Sequence, residues 1–115
     1  MDKRLTLKKN SEFRRLYSKG SSAATPYVVV YCRRNREYVN RLGYTVSTKL
    51  GHAVARNRVR RRLREIYRLN SPALRQGYDI VVVARSRCVG AEYVQLERAF
   101  MKACAKLGLL REAQP

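Results

Sequence analysis

The chain has no tryptophan, three cysteines, one histidine and only eight acidic residues among its 115. Each shortage closes off a class of function. Cys32, Cys88 and Cys104 are odd in number and far apart, and His52 stands alone. No paired ligand spacing exists, which disfavours structural zinc and a disulfide framework, and the thiols read as reduced and cytoplasmic. Cys32 and Cys104 fall within apolar patterns and read as small core residues. The acids Asp2, Glu12, Glu37, Glu65, Asp79, Glu92, Glu97 and Glu112 form no spaced cluster able to hold the two metal ions of a protein nuclease. Gly43 and Gly51 do not give the spacing of a phosphate-binding loop. No apolar run is long enough to span a membrane, and Met1 to Thr6 lacks the apolar centre of a secretion signal.

Positive charge, by contrast, is abundant. Twenty-six Lys and Arg give a formal charge of +18, while 45% hydrophobic residues are enough to fold. The basicity therefore belongs to a folded surface, and a polyanion is the simplest partner. Its densest part is Arg56 to Arg68, with seven arginines in thirteen residues. Ala55, Val59, Leu63 and Ile66 recur there at helical spacing and form one apolar stripe. Asn57, Arg61, Arg64 and Arg68 fall opposite it, Arg60 lies beside them, and Arg56 and Arg62 flank the apolar edge. A docked helix presenting guanidinium forks suits phosphate oxygens. It lacks the broad Trp, Phe and Leu face of a membrane anchor.

The length suits one compact domain, 1–115, with frayed tails at 1–6 and 111–115. Asn10 or Ser11 can cap a first helix carrying Phe13, Leu16 and Tyr17 on one face and Arg14, Arg15 and Lys19 on the other, stopped by Gly20. Ser21 to Thr25 reads as a loop. Strands follow over Tyr27–Cys32 and Arg41–Ser47. The arginine helix ends near Asn70-Ser71-Pro72 because proline cannot continue it. Tyr78–Ala84 is an uninterrupted apolar run, suited to a strand covered on both faces. Val94, Leu96, Ala99, Phe100, Ala103 and Leu107 form the stripe of a last helix closed by Gly108. The order is helix, two or three strands, helix, strand, helix: an α+β fold with one mixed sheet. If strands 41–47 and 78–84 run parallel, the arginine helix is their crossover.

Aromatic placement adds a second signal. Phe13 and Tyr17 lie one turn apart, and Tyr27, Tyr31 and Tyr44 sit on strands. Rings beside a basic track bind single-stranded nucleic acid, and the same rings can equally fill a core. Phe13 fits either role. His52, at a helix start, reads as a capping or surface residue.

The matching stretches are Leu7–Phe13, Leu42–Arg58, Arg60–Glu65 and Tyr78–Arg85, and the most specific is Arg56-Asn57-Arg58 preceded by Gly51-His52-Ala53-Val54-Ala55. Through them the chain, from about Leu5 to Leu110, closely resembles the bacterial ribonuclease P protein family. The resemblance implies helix-strand-strand-strand-helix-strand-helix order with a left-handed βαβ crossover, where general rules favour a right-handed one. It implies an accessory subunit of an endoribonuclease that removes the 5′ leader of precursor tRNA, with the catalytic centre in an RNA subunit. Arg56, Asn57, Arg58, Arg60, Arg61, Arg62, Arg64 and Arg68 match the helix that contacts that RNA. Phe13, Tyr17 and Tyr31, with Lys49 and Arg85, match the cleft that binds the leader. Mg2+ is expected, held mainly by the RNA subunit and the substrate, with no obligatory protein partner and no membrane. Tyr17 stands where the family often has phenylalanine, and Thr48 where it often has lysine. The rival readings are a ribosomal-type RNA-binding protein or RNA chaperone, and a helix-turn-helix DNA binder. The last is disfavoured, because only Asn57 among the arginines could read base edges.

Overall fold

The structure is a computed structural model and describes residues 5–111. A four-stranded sheet is built from β1 (Ser21–Ala24), β2 (Val28–Arg34), β3 (Arg41–Thr45) and β4 (Tyr78–Ala84). Three helices accompany it: α1 (Asn10–Lys19), α2 (Ala53–Asn70) and α3 (Tyr93–Lys106). Strand order is β1-β2-β4-β3. β1 pairs antiparallel with β2 and β2 antiparallel with β4, whereas β3 and β4 are parallel, with α2 as their crossover. The sheet is thus mixed and the fold α+β.

β1 occupies residues expected to be loop. Ser21 pairs with Cys32 and Ala24 with Val29. Its small residues carry no alternating signal, and only Ala23 is buried. The hairpin is closed by the buried Thr25, whose Oγ1 accepts the Val28 N–H at 2.9 Å while its own N–H donates to the Val28 carbonyl at 2.8 Å.

β4 is covered on both faces, as its unbroken apolar run predicts. Ile80, Val82 and Ala84 join Val28, Val30 and Cys32 in the main core, packed against Val59, Leu63 and Ile66 of α2 and Leu96, Phe100 and Cys104 of α3. On the other face Val81 meets Leu7 and Leu16, with Phe13, Tyr31 and Val83 at the margin. Fully burying a Leu, Ile or Phe side chain is worth ~1.5–3 kcal/mol. The main core therefore fixes α2 on the sheet, and the smaller one fixes α1.

Two expectations need correction. Val94 is exposed, because α3 buries Leu96, Ala99, Phe100, Ala103 and Cys104 and a residue two positions before Leu96 faces about 200° away from it. The cap of α1 is Lys9, one residue early, with its N–H donating to Glu12 Oε1 at 3.2 Å. At the ends of the described chain a few backbone bonds are in place. Thr6 bridges Leu42, the Leu7 N–H donates to the Leu42 carbonyl at 2.9 Å, and Arg111 donates to the Ala73 and Leu74 carbonyls. The expected tails at 1–4 and 112–115 lie outside the described residues.

All three cysteines are free and buried, Cys88 included. Burial pushes Cys32 up, Cys88 to about 11 and Cys104 to about 12. A free thiol titrates near 8.5, so below that pH both folded and unfolded chains hold their protons and the groups leave stability unchanged with pH. Above it the unfolded chain ionises first, and stability falls until pH reaches the folded values. The melting temperature should decline above about pH 8.5. A thiol reagent at neutral pH should label the chain only after denaturant is added; rapid labelling of the native chain would contradict this burial.

Candidate nucleic-acid interface

α2 starts where the chain turns sharply. Ser47 Oγ accepts the Lys49 N–H at 3.1 Å in the turn Thr48–Leu50, Gly51 takes φ +138°, and His52 occupies the N-cap position. His52 makes no capping bond with its side chain and is exposed. The helix stops at Asn70, before Pro72, as its sequence dictates. Between those ends Val59, Leu63 and Ile66 are buried and Ala55 is half-buried, while Asn57, Arg58, Arg61, Arg64 and Arg68 are exposed.

The arginines are not equivalent. Arg62 Nη1 donates to the Ala91 carbonyl at 2.9 Å and ties α2 to the start of α3. Arg56 Nε donates to the Gly51 carbonyl at 3.2 Å, and Arg60 Nη1 reaches Asn57 Oδ1 at 3.3 Å. Arg68 grips Glu65 through two bonds of 3.1 and 2.6 Å, which holds the Glu65 carboxyl below its usual range. The Arg64 guanidinium stands 5.9 Å from the Tyr44 ring centroid. Arg58 and Arg61 have no side-chain hydrogen bond or ion pair among the described residues. Arg58, Arg61 and Arg64 thus leave their guanidinium N–H donors unused among the described residues.

Beside this ridge runs an open groove between α1 and α2, floored by β3. One stretch, about 490 Å³ in volume, is lined by Asn10, Phe13, Arg14 and Tyr17 of α1, Tyr44 and Thr45 of β3, Val46, and Arg60 of α2. A second stretch continues from Phe13, Tyr44 and Arg60 past Leu42 and Gly43 to Val39, under Arg61, Arg64 and Arg68. Gly43 makes this floor possible: a Cβ there would lie 2.6 Å from Phe13 Cζ, so only glycine lets the ring settle on the strand. Phe13 is accordingly both things its sequence allowed, half-buried on the smaller core and a wall of the groove. The Tyr17 hydroxyl meets Thr45 Oγ1 at 2.7 Å. Burial, and then the neighbouring Tyr67, push the Tyr44 phenol well up, so it stays neutral.

Of the cleft residues named from sequence, Phe13 and Tyr17 line the groove. Tyr31 stands against Tyr17, ring centroids 4.9 Å apart in an edge-to-face pair, and supports it. Lys49 and Arg85 are outside the lining: Lys49 is exposed in the turn before α2, and Arg85 Nη1 donates to the Thr25 carbonyl at 3.0 Å. The sequence reading missed Tyr44 and Arg14 as lining residues. Tyr44 carried only a general aromatic signal, and Arg14 was placed on the outer face of α1.

The acidic side chains are mostly committed to basic or amide partners. Arg41 bonds Asp79 at 2.8 and 2.7 Å and Glu12 at 3.0 Å, Glu65 holds Arg68, and Glu97 accepts from Asn70 at 2.9 Å. Among the described residues no group of three or more His, Cys, Asp or Glu could hold a metal ion. The donor set of those residues does not fit a divalent ion held by them alone.

A mixed sheet, an arginine ridge with open donors and an aromatic groove alongside it together define a small basic binding protein with a nucleic-acid-like footprint. The ribonuclease P family profile matches residues 1–108. The ribonuclease P protein component of Natranaerobius thermophilus is 44% identical over 112 residues, covering 97% of each chain. The solved RNase P protein of Staphylococcus aureus superimposes with a TM-score of 0.84 at 33% identity, over 93% of this chain and 98% of that one. That of Thermotoga maritima gives 0.78 at 30% identity, over 84% and 92%. The chain belongs to the family of bacterial ribonuclease P protein components.

Proposed function

We propose that this chain assists a catalytic RNA subunit in removing the 5′ leader of precursor tRNA. The ridge formed by Arg58, Arg61 and Arg64 lies against the RNA subunit, with Arg60 at the junction of ridge and groove. The groove of Phe13, Tyr17 and Tyr44 takes the single-stranded leader, its bases on the rings and its phosphates near Arg14 and Arg60. Arg56, Asn57, Arg62 and Arg68 shape and hold the ridge through their own bonds. Bond breaking is assigned to the RNA subunit, and magnesium to that RNA and the substrate. The observation that carries this reading is the shared boundary: Arg60 belongs at once to the arginine helix and to the aromatic groove.

Two mechanisms belong to this reading. Guanidinium groups lower phosphate repulsion where two RNA molecules meet, and this term is strongly salt-dependent. Stacking on a ring adds ~1–3 kcal/mol per base and is open only to unpaired nucleotides, so precursor is favoured over mature tRNA. The test adds the purified chain to a ribonuclease P RNA at low magnesium and follows leader cleavage. Cleavage should be restored, and Tyr17→Ala should weaken leader-bearing substrate by at least roughly fivefold while leaving mature tRNA unaffected. Cleavage by the chain alone, or no rescue of the RNA, would overturn the reading. Binding to ribosomal RNA without any effect on tRNA processing would favour a ribosomal-type protein.

A further inference from the structure

The turn joining β2 to β3 displays an aromatic ring that neither core uses. Tyr38 is 88% exposed, the most open large apolar side chain among the described residues. Its backbone takes φ +61°, the left-handed region that a bulky side chain seldom adopts. The conformation is held from several sides. Asn35 Nδ2 donates to the Val39 carbonyl at 3.0 Å and to Asp79 Oδ1 at 2.9 Å, and Asn35 Oδ1 accepts the Glu37 N–H at 2.9 Å. The Asn35 N–H donates to the Gly77 carbonyl at 2.8 Å. Gly77 itself has φ +100°, and a Cβ there would sit 4.0 Å from the Tyr38 Cα.

This turn is also fixed to the arginine helix. The buried Asn40 donates to the Tyr67 hydroxyl at 3.3 Å and to the Arg75 carbonyl at 2.9 Å, and its Oδ1 accepts the Tyr78 N–H at 3.0 Å. Tyr38 therefore stands at a set position near the C-terminal end of the ridge, one residue from Val39, which lines the far end of the groove. Its surroundings are cationic. Arg33, Arg34 and Arg36 are exposed, and Glu37 is the only acid from 33 to 40. Strain at an exposed site points to a use for the displayed group.

We propose that Tyr38 is a stacking platform for an unpaired RNA base beyond the groove, with Arg33 and Arg36 on the adjoining phosphates. This rests on the reading of the ridge as an RNA surface and extends it by a separate contact. A tyrosine face accepts any base, and only a single strand can offer one. The ring selects strandedness and not sequence.

The test measures binding of the full chain to two labelled probes by fluorescence anisotropy. One is a single-stranded oligoadenylate of about a dozen nucleotides, longer than the roughly 27 Å of the 18-residue α2. The other is a blunt RNA duplex. Tyr38→Ala should weaken oligoadenylate by at least roughly fivefold, the lower end of the stacking range, and leave the duplex unchanged. Tyr38→Phe should keep the parent affinity. Tyr38→Gly, which the backbone angle favours, should behave like alanine with an undiminished melting temperature. Unchanged oligoadenylate binding in the alanine and glycine variants, or equal loss in the phenylalanine variant, overturns the proposal. Arg61→Ala measured alongside separates the two ideas. If it weakens both probes while the Tyr38 variants do nothing, the ridge stands and the platform falls; if it weakens neither, the ridge falls.

Discussion

Alanine at Arg58, Arg61 and Arg64 together is expected to weaken binding to ribonuclease P RNA by roughly 10²- to 10³-fold near ~0.1 M monovalent salt. Each phosphate contact contributes about 0.9 to the slope of log affinity against log salt, so one contact is worth roughly eightfold at that concentration and three multiply to the range given. The same arithmetic predicts that the slope itself drops by ~2–3 and that parent and variant converge as salt approaches ~1 M. Folding should respond differently. Arg58, Arg61 and Arg64 are spaced three apart on an exposed face, where like charges repel, and alanine is the better helix former. Loss of Arg64 from the Tyr44 ring offsets part of that gain by ~0.5–1 kcal/mol. The melting temperature should therefore stay within about 3–5 °C of the parent. Titrations across salt, paired with thermal melts, separate the outcomes. Lost affinity with retained stability assigns the ridge to RNA. Lost stability with retained affinity makes it a scaffold.

Legibility from the amino-acid sequence varied with how local the signal was. α2 was readable because its apolar residues and its charges alternate at one helical period over four turns, and its stop is written in Pro72. β4 was readable because an unbroken valine run needs cover on both faces. The parallel pairing that makes α2 a crossover could be posed only as a condition. β1 could not be located from its own residues, because four small side chains leave no alternation; only the resemblance implied a third strand before α2, and the Thr25 turn sets its pairing. The groove was half legible. Phe13 and Tyr17 share a helix face, which spacing reveals, but Tyr44 enters only once β3 is known to lie under α2. Gly43 shows the limit well. A glycine within a strand signals a close approach, yet nothing local says that the approaching group is a ring from α1, thirty positions earlier in the chain. Lys49 and Arg85 were carried over by resemblance, and their positions outside the groove lining follow from the turn and strand end that hold them.

One poorly legible residue has a large structural consequence. Arg41 reads as an ordinary strand arginine, but its guanidinium joins Glu12 on α1 to Asp79 on β4, and three-quarters of its side chain is out of solvent. Asp79 and Arg41 face each other across the parallel register, so the bidentate geometry is set by the sheet itself. Arg41→Ala would leave the 17%-exposed Asp79 with only the Asn35 amide and would release Glu12, the residue before Phe13. Removing one partner of a fully buried pair costs ~3–5 kcal/mol; with some water access here, about 2–3 kcal/mol is expected, a fall of roughly 10–15 °C in melting temperature. Arg41→Met should recover part of the loss through packing but none of the tie to α1. Glu12→Gln should cost only about 1 kcal/mol, because Arg41 keeps Asp79. The Glu12 variant is the informative one for function. It loosens α1 while the sheet stays paired, so leader affinity should fall more than affinity for the RNA subunit. If Glu12→Gln instead leaves leader affinity unchanged, α1 is not held in place by Arg41, and the groove owes its shape to the Leu16 and Phe13 contacts alone.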